Sequence, residues 1–364
     1  MPLNSYVSLG RSGLRVSPFC LGAMTFGEDI GLGQGAGASV KDSEAMLAHY
    51  LEQGGNFIDT ANAYTRGHSE KIIGDFFQQG KGKRDRVVIA TKFVMNLFAG
   101  DPNGGGAGRK AIVSQCEESL RRLQTDYIDL YYLHMWDRFT PIEETMRALD
   151  DLVTSGKVRY IGFSDVPAWK VAEAQTMAQF RDWNPVIALQ IEYSLMERTV
   201  EGELVPMAEA LGLGVVPWSP LKGGALSGKY TRANGARMQG LRGAHAGELS
   251  ERQYDIIDAV GTVAAECGTD CSTVALAWLK AQAGVPSTII GVRTLEQLNA
   301  NLKALDLTLS AEQMATLNEA SKPVLNFPAD FLAYAPDISH AGATVNGVAS
   351  KATFLVPKDE SSRW

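Results

Sequence analysis

Brief apolar runs alternate with stretches of helical periodicity along most of the chain. Phe19–Leu21, Phe57–Asp59, Val87–Thr91, Ile128–Leu133, Val158–Phe163, Val186–Ile191, Gly214–Pro217 and Thr288–Ile290 are rich in β-branched or aromatic residues. Such runs predict buried strands. Between them, Lys41–Gln53, Arg109–Leu123, Ile142–Ser155 and Ala168–Gln179 carry amphipathic helical patterns. Parallel strands need a helical crossover, so strict alternation predicts a parallel α/β sheet. Eight such units predict closure into a (β/α)8 TIM barrel, with its core at about residues 17–305.

Other segments exceed a minimal barrel. Val7–Val16, with a turn at Gly10–Gly13, predicts a small N-terminal hairpin. Met95–Gly108, containing Gly104–Gly108, reads as a long flexible loop, and Lys222–Glu248 as another. Extra helices are expected at Glu251–Glu266 and near Ser310–Ala320, followed by a tail over 321–364 with prolines at 323, 328, 336 and 357. Loops this long inside a domain are commonly functional or disordered. Nothing resembles a linker or an internal repeat, so one domain over 1–364 is expected.

Composition narrows the functional classes. The 364 residues are 45% hydrophobic and 21% charged, ordinary for a globular protein. The net charge of −7, from 34 basic and 41 acidic side chains, disfavours nucleic acid or anionic lipid as a partner. No apolar run reaches the ~18 residues of a membrane span, and the N-terminus lacks a signal-peptide core, so a cytoplasmic protein is expected. Cys20, Cys116, Cys267 and Cys271 form no CxxC pair and read as reduced thiols.

Barrel active sites sit at the C-terminal strand ends. Here those ends carry Asp59, Lys92, His134, Ser164, Gln190, Trp218 and Gly291. Taken singly, an Asp–Lys pair is a structural salt bridge, a loop tyrosine is packing and a histidine is a hydrogen-bonded core residue. Jointly they suggest chemistry. Asp59 and Lys92 follow neighbouring strands, and Tyr64 lies five residues after Asp59, within reach of the same point. A buried ammonium beside a phenol favours phenolate, while a carboxylate keeps that ammonium charged. With His134 to orient a substrate oxygen, the group matches protonation of an alkoxide as hydride arrives.

Phe57–Tyr64 (FIDTANAY), Thr91-Lys92 and Asp126–His134 (DYIDLYYLH) resemble the tetrad-bearing motifs of aldo-keto reductases, over about Leu9 to Leu305. The resemblance implies Tyr64 as general acid, Asp59 and Lys92 as its tuning pair, His134 as the orienting group, hydride from NADPH rather than NADH, and no metal. It further implies that Gly22, Ala23 and Met24 lie under the nicotinamide, with Asp59 beside it. By the same resemblance Ser164 and Gln190 hold the carboxamide, Trp218 stacks on the ring, and Trp218, Ser219, Pro220, Leu221 and Lys229 grip the pyrophosphate. Gly291, Arg293, Gln297 and Asn301 would take the adenosine 2′-phosphate, where Thr294 and Gln297 have capping-box spacing and a helix N-terminus favours an anion. The basic run Lys222, Lys229, Arg232, Arg237 and Arg242, against Glu248 alone, suits a phosphorylated ligand equally well as a solvated face.

Two positions depart from the family pattern: Asp165 replaces an asparagine and loses its amide donors, and Ala300 replaces an acid near the adenine. His134–Asp137 (HMWD) and Ser164–Trp169 (SDVPAW) resemble the aryl-alcohol-dehydrogenase branch. That implies aromatic or bulky carbonyl substrates, with Tyr64, His134 and Trp136 walling the pocket. Variable loops on a rigid barrel set specificity, so Met95–Gly108, Lys222–Glu248 and the Ser321–Trp364 tail are expected to complete it. The preferred direction, reduction or alcohol oxidation, stays open. So does the oligomeric state. Potassium-channel β subunits resemble the same family, making a cofactor-loaded regulatory subunit the alternative. Gly31–Ala36 matches GxGxxG/A but follows no buried strand, and Gly104–Lys110 lacks a phosphate-loop ending, so neither is read as a nucleotide site. His49, His68, His245 and His340 have no metal-ligand spacing.

Overall fold

A computed structural model describes residues 2–28, 37–233, 249–359 and 361. The Gly31–Ala36 motif, Arg237, Arg242, His245 and Glu248 lie outside them. Eight parallel strands form one sheet, with the last of the eight in sequence hydrogen-bonded to the first. They are β3 (Phe19–Gly22), β4 (Phe57–Asp59), β5 (Val88–Phe93), β6 (Ile128–Leu133), β7 (Val158–Ser164), β8 (Val186–Glu192), β9 (Gly214–Trp218) and β10 (Thr288–Gly291). Sequential strands are neighbours throughout, and β9 packs beside β10, so the sheet nearly closes on itself. This is the (β/α)8 barrel that the hydrophobic pattern predicts.

Helices α1 (Val40–Glu52), α2 (His68–Gln78), α3 (Arg109–Leu123), α4 (Ile142–Thr154), α5 (Ala168–Arg181) and α6 (Leu204–Leu211) cross between strands. After β9 come α7 (Glu251–Cys267) and α8 (Cys271–Lys280), then α9 (Leu295–Leu302) and α10 (Ala311–Ala320) follow β10. Periodicity does not single out α6 or α8, for identifiable reasons. Pro206 breaks the sequence pattern although the first turn of α6 accommodates it, since no N–H is needed there, and α8 is apolar nearly all round, with Thr273 to Leu279 buried.

Side-chain alternation divides the core in two. One set, including Cys20, Phe57, Val88, Ala90, Leu130, Tyr132, Ala188 and Val216, fills the barrel interior. The other, including Ile58, Ile89, Phe93, Tyr131 and Phe163, packs outward under the helices. Gly162 makes room for the interior ring of Tyr132, whose Cε1 would lie 2.3 Å from any Cβ there.

The antiparallel hairpin of β1 (Val7–Ser8) and β2 (Arg15–Val16) adds Leu9 and Val16 to the interior set. Gly10, at φ +59°, brings the hairpin so close that a Cβ would lie 2.4 Å from the Ile187 carbonyl oxygen. Arg11 N–H donates to the Gly212 carbonyl at 2.7 Å. The hairpin thus stoppers the N-terminal end, leaving access to the interior at the opposite rim.

The long segments are not uniformly structureless. Met95–Gly108 is stitched by Asn96, which donates to the Asp101 carbonyl at 2.7 Å, and by Ala107 N–H, which donates to Asp137 at 3.0 Å. Lys222–Ser227 forms a 3-10 turn. The tail forms α11 (Ala329–Leu332), α12 (Ala335–His340) and a hairpin of β11 (Thr344–Val345) with β12 (Val348–Ala349). Among the described residues no helix is long and apolar enough to cross a membrane.

Candidate active site

The alternation that fills the barrel also assembles its open end. Val88 and Ala90 point inward, so Lys92 does too; Leu130 and Tyr132 place His134 next on the same face. By the same count Phe57 leads to Asp59, Ala188 to Gln190 and Val216 to Trp218. Lys92, Ser164, Trp218 and Gly291 lie inside β5, β7, β9 and β10 rather than just after their apolar runs, because these strands run further than their apolar cores.

Lys92 is fully buried. Its Nζ donates to Asp59 Oδ1 at 2.5 Å, to the Thr60 carbonyl at 2.9 Å and to Tyr64 Oη at 3.2 Å. Burial alone would lower the ammonium's pKa; Asp59 and then Tyr64 more than offset that and raise it, so Lys92 is a cation at neutral pH. Asp59 uses its other oxygen to accept from Gln190 Nε2 at 2.8 Å. Tyr64 opens a 3-10 turn in which Thr65, Arg66 and Gly67 all take positive φ. Thr65 Oγ1 ties that turn to the Phe26 carbonyl at 2.6 Å, fixing where the phenol emerges.

The His134 ring meets Tyr64 edge-to-face, with centroids 5.8 Å apart. Desolvation first, and then the Lys92 charge, push the imidazole down to about 3. It is therefore neutral at working pH. Between about 3 and the unperturbed value near 6.5 the unfolded chain takes up a proton that folded His134 refuses. This contribution to stability is complete above that window and is lost as pH falls through it, on the order of 5 kcal/mol in all. The expected outcome is a shallower acid-side loss of stability in His134→Gln than in wild type, measured as urea midpoints from neutral to pH ~4. Parallel curves would contradict the assignment.

The remaining ligand-binding candidates converge on the same rim. Gly22 pairs with both Asp59 and Gly291 across the strands, and Ala23 N–H donates to the Asp59 carbonyl at 2.8 Å. Met24 follows directly, half-buried. Ser164 pairs with Gln190 across β7 and β8. Trp218 is half-buried, and its Nε1 donates to Asp165 Oδ1 at 3.1 Å. Asp165 opens to solvent at φ +50°, yet the loops around it desolvate its carboxyl and raise it to about 6, with the indole hydrogen bond opposing. Beyond Trp218 come half-buried Ser219 and Leu221, buried Pro220 and exposed Lys229. Ser219, Lys222, Gly223 and Gly224 take positive φ, which curls the backbone as anion-binding loops do.

Thr294 caps α9 by accepting from Gln297 N–H at 3.3 Å. Gln297 completes no reciprocal box; it reaches one residue further back, accepting from Arg293 N–H at 2.8 Å. Arg293 is exposed, whereas Asn301 is buried in the helix's inner face. The basic-loop reading weakens. Lys222 pairs with Glu192 at 2.8 Å, and Arg232 is held by Glu251, Asp255 and Asp258 on α7.

Trp136 stacks edge-on against Trp169 at 5.4 Å and lines a cavity of about 670 Å³ between the 94–108 and 135–140 loops. A second cavity, about 370 Å³, lies between Asp165 and Trp218 on one side and Thr199 and Leu204 on the other. Neither cavity is lined by Tyr64, His134 or, among the described residues, any part of the tail, which the sequence reading assigns to the pocket. Among the described residues no cluster of three or more His, Cys, Asp or Glu side chains could hold a metal.

Sequence reasoning misses the frame behind these residues. Buried Glu70 accepts from Thr91 Oγ1 at 2.5 Å and from Arg122 Nε at 2.6 Å. Gln115 accepts from Asn62 at 2.7 Å and from Val94 N–H at 3.0 Å, joining the Tyr64 loop to the end of β5. Glu70, Gln115 and Arg122 sit on α2 and α3 without a motif; an acid and an amide on otherwise buried helix faces were the only signal.

The Aldo/keto reductase family model matches residues 18–322. The chain is 41% identical over 323 residues to the uncharacterized oxidoreductase YrpG of Bacillus subtilis (strain 168), covering 86% of this chain and 95% of that protein. It is 35% identical over 325 residues to the aryl-alcohol dehydrogenase GME11368 of Pestalotiopsis microspora, covering 88% and 83%. A norsolorinic acid reductase of Aspergillus flavus is 35% identical over 334 residues, covering 90% and 84%. A nearly closed eight-stranded barrel with a Tyr–Lys–Asp–His group at its mouth, together with these similarities, places the chain in the aldo/keto reductase family of oxidoreductases that interconvert carbonyls and alcohols.

Proposed function

We propose that the protein is an NADPH-dependent reductase of aldehydes or ketones, with aromatic or bulky carbonyls as its substrates and the reverse alcohol oxidation available. The observation that carries this reading is the contact of the buried Lys92 ammonium with both Asp59 and the Tyr64 hydroxyl. NADPH, when bound, supplies hydride to the carbonyl carbon. Tyr64 then gives its hydroxyl proton to the carbonyl oxygen. Lys92 stabilises the phenolate left behind, and Asp59 keeps Lys92 charged.

His134 orients the same oxygen. Its Nδ1 is buried without a partner, and a buried orphan acceptor is more tolerable than a buried orphan N–H. The neutral ring therefore carries its proton on Nε2, as a donor toward the substrate.

The fit to a phosphorylated dinucleotide rests on the curled Ser219–Gly224 backbone, the half-buried Trp218 indole, and Arg293 at the start of α9. Ser164 and Gln190 offer polar groups to the carboxamide, and Gly22 to Met24 provide the floor. Gly291, Gln297 and Asn301 with Arg293 serve the adenosine phosphate, while Lys229 serves the pyrophosphate. Trp136 walls the substrate side. The homologue named aryl-alcohol dehydrogenase supports an aromatic substrate class.

The reading is tested by following NADPH consumption over a panel of aromatic and aliphatic aldehydes and ketones; absence of turnover with all of them would refute it. Within that assay Arg293→Ala is expected to raise KM for NADPH by about 10–100-fold, the worth of hydrogen bonds to a charged group. KM for NADH should stay unchanged. An equal rise for both cofactors would move the 2′-phosphate contact elsewhere.

A further inference from the structure

The tail carries an apolar surface that its own barrel does not cover. More than half of the large exposed apolar side chains among the described residues lie between Val324 and Val356. Phe327 is 80% exposed, Phe331 55%, Tyr334 64% and Phe354 96%, with Leu332 and Leu355 also exposed. Their foothold on the barrel is narrow. Arg198 donates to the Asn318 carbonyl and to Ser321, Arg252 donates to the Lys322 carbonyl, and Leu325 and Ala329 pack over Gly202.

Beyond Ala329 stand the rest of α11, then α12 and a hairpin with two residues in each strand. Elements this short are marginal alone in water, where isolated helices under ~12 residues and lone two-stranded hairpins rarely persist. Their structure calls for a surface on which to lie.

We infer that this surface is the tail of a second copy of the same chain, joined about a two-fold axis. Area supports that occupant. At about 150–200 Å² for each fully exposed large apolar side chain, the tail presents on the order of 1,000 Å², and a stable pair needs about 800 Å² from each partner. Chemistry supports it as well. Phe and Tyr are enriched and charge is depleted at the centres of permanent homodimer contacts, and only Asp330, Asp337 and Lys351 are ionised between 324 and 356. A two-fold contact of a face with itself also closes, so it does not propagate into fibres.

The test is the mass in solution of the full chain and of a Phe331→Glu/Tyr334→Glu double variant, by sedimentation velocity at micromolar concentration. Wild type is expected at twice the chain mass, and the variant is expected to dissociate at least about 30-fold more readily while its barrel stays folded, read by an unchanged near-ultraviolet circular dichroism spectrum. Amide hydrogen exchange on wild type gives a readout that needs no variant: protection across 329–349 should rise with protein concentration. A wild-type monomer, a variant that remains dimeric, or concentration-independent exchange would overturn the inference. So would a monomer whose tail binds phosphatidylcholine vesicles, which would make the partner a membrane.

Discussion

Tyr64→Phe is expected to lower kcat for carbonyl reduction by about 10²–10⁴-fold, the usual worth of a positioned proton donor. The change removes one oxygen and leaves the ring, so its edge-to-face contact with His134 should survive. Lys92 keeps Asp59 and the Thr60 carbonyl as partners and loses only its 3.2 Å contact. Stability should therefore change by less than about 1 kcal/mol, because the deleted hydroxyl lies at a half-open rim. NADPH binding, read by protein fluorescence, should be unaffected. Steady-state rates checked against a thermal melt separate the two effects. Equal kcat in both proteins would remove Tyr64 from the chemistry, and loss of folding would show that the hydroxyl is structural.

The second large effect is expected at the ion pair. Asp59→Asn leaves the Lys92 ammonium fully buried with only neutral partners, the amide oxygen at position 59, the Thr60 carbonyl and the Tyr64 hydroxyl. Stripping one member from a buried pair costs about 3–5 kcal/mol, since the survivor remains desolvated without its counter-charge. Lys92→Met strands Asp59 in the same way, with only Gln190 donating to it at 2.8 Å. Both singles should lose activity along with stability. The double variant Asp59→Asn/Lys92→Met removes both charges, so it should be more stable than either single while staying inactive. Denaturant unfolding of the four proteins measures this as a double-mutant cycle. Additive losses would mean that the two charges do not depend on each other.

The period-two pattern made much of the site readable. Once Val88 and Ala90 face inward, Lys92 must as well, and the same count along β4, β6, β8 and β9 delivers Asp59, His134, Gln190 and Trp218 to one layer. Tyr64 was readable for a different reason: a five-residue step from a strand end can reach only so far. What escaped was contact between segments distant in sequence. The Trp218–Asp165 hydrogen bond spans 53 residues and the Gln190–Asp59 bond 131, and nothing in either local pattern marks them. Lys222 and Arg232 looked available for phosphate because their acidic partners, Glu192 and the acids of α7, lie outside the loop that carries them. The tail is expected to complete the pocket, whereas its apolar side chains are mostly exposed and, among the described residues, line neither of the two cavities.

The account rests on Tyr64 and His134 sharing one substrate oxygen, and a crystal structure of the ternary complex with NADP+ and an unreactive aromatic carbonyl analogue tests that most directly. The expected result is a ligand oxygen within hydrogen-bond reach, about 2.6–3.2 Å, of both Tyr64 Oη and His134 Nε2. An analogue bound productively against the nicotinamide, with its oxygen touching neither side chain, would contradict it.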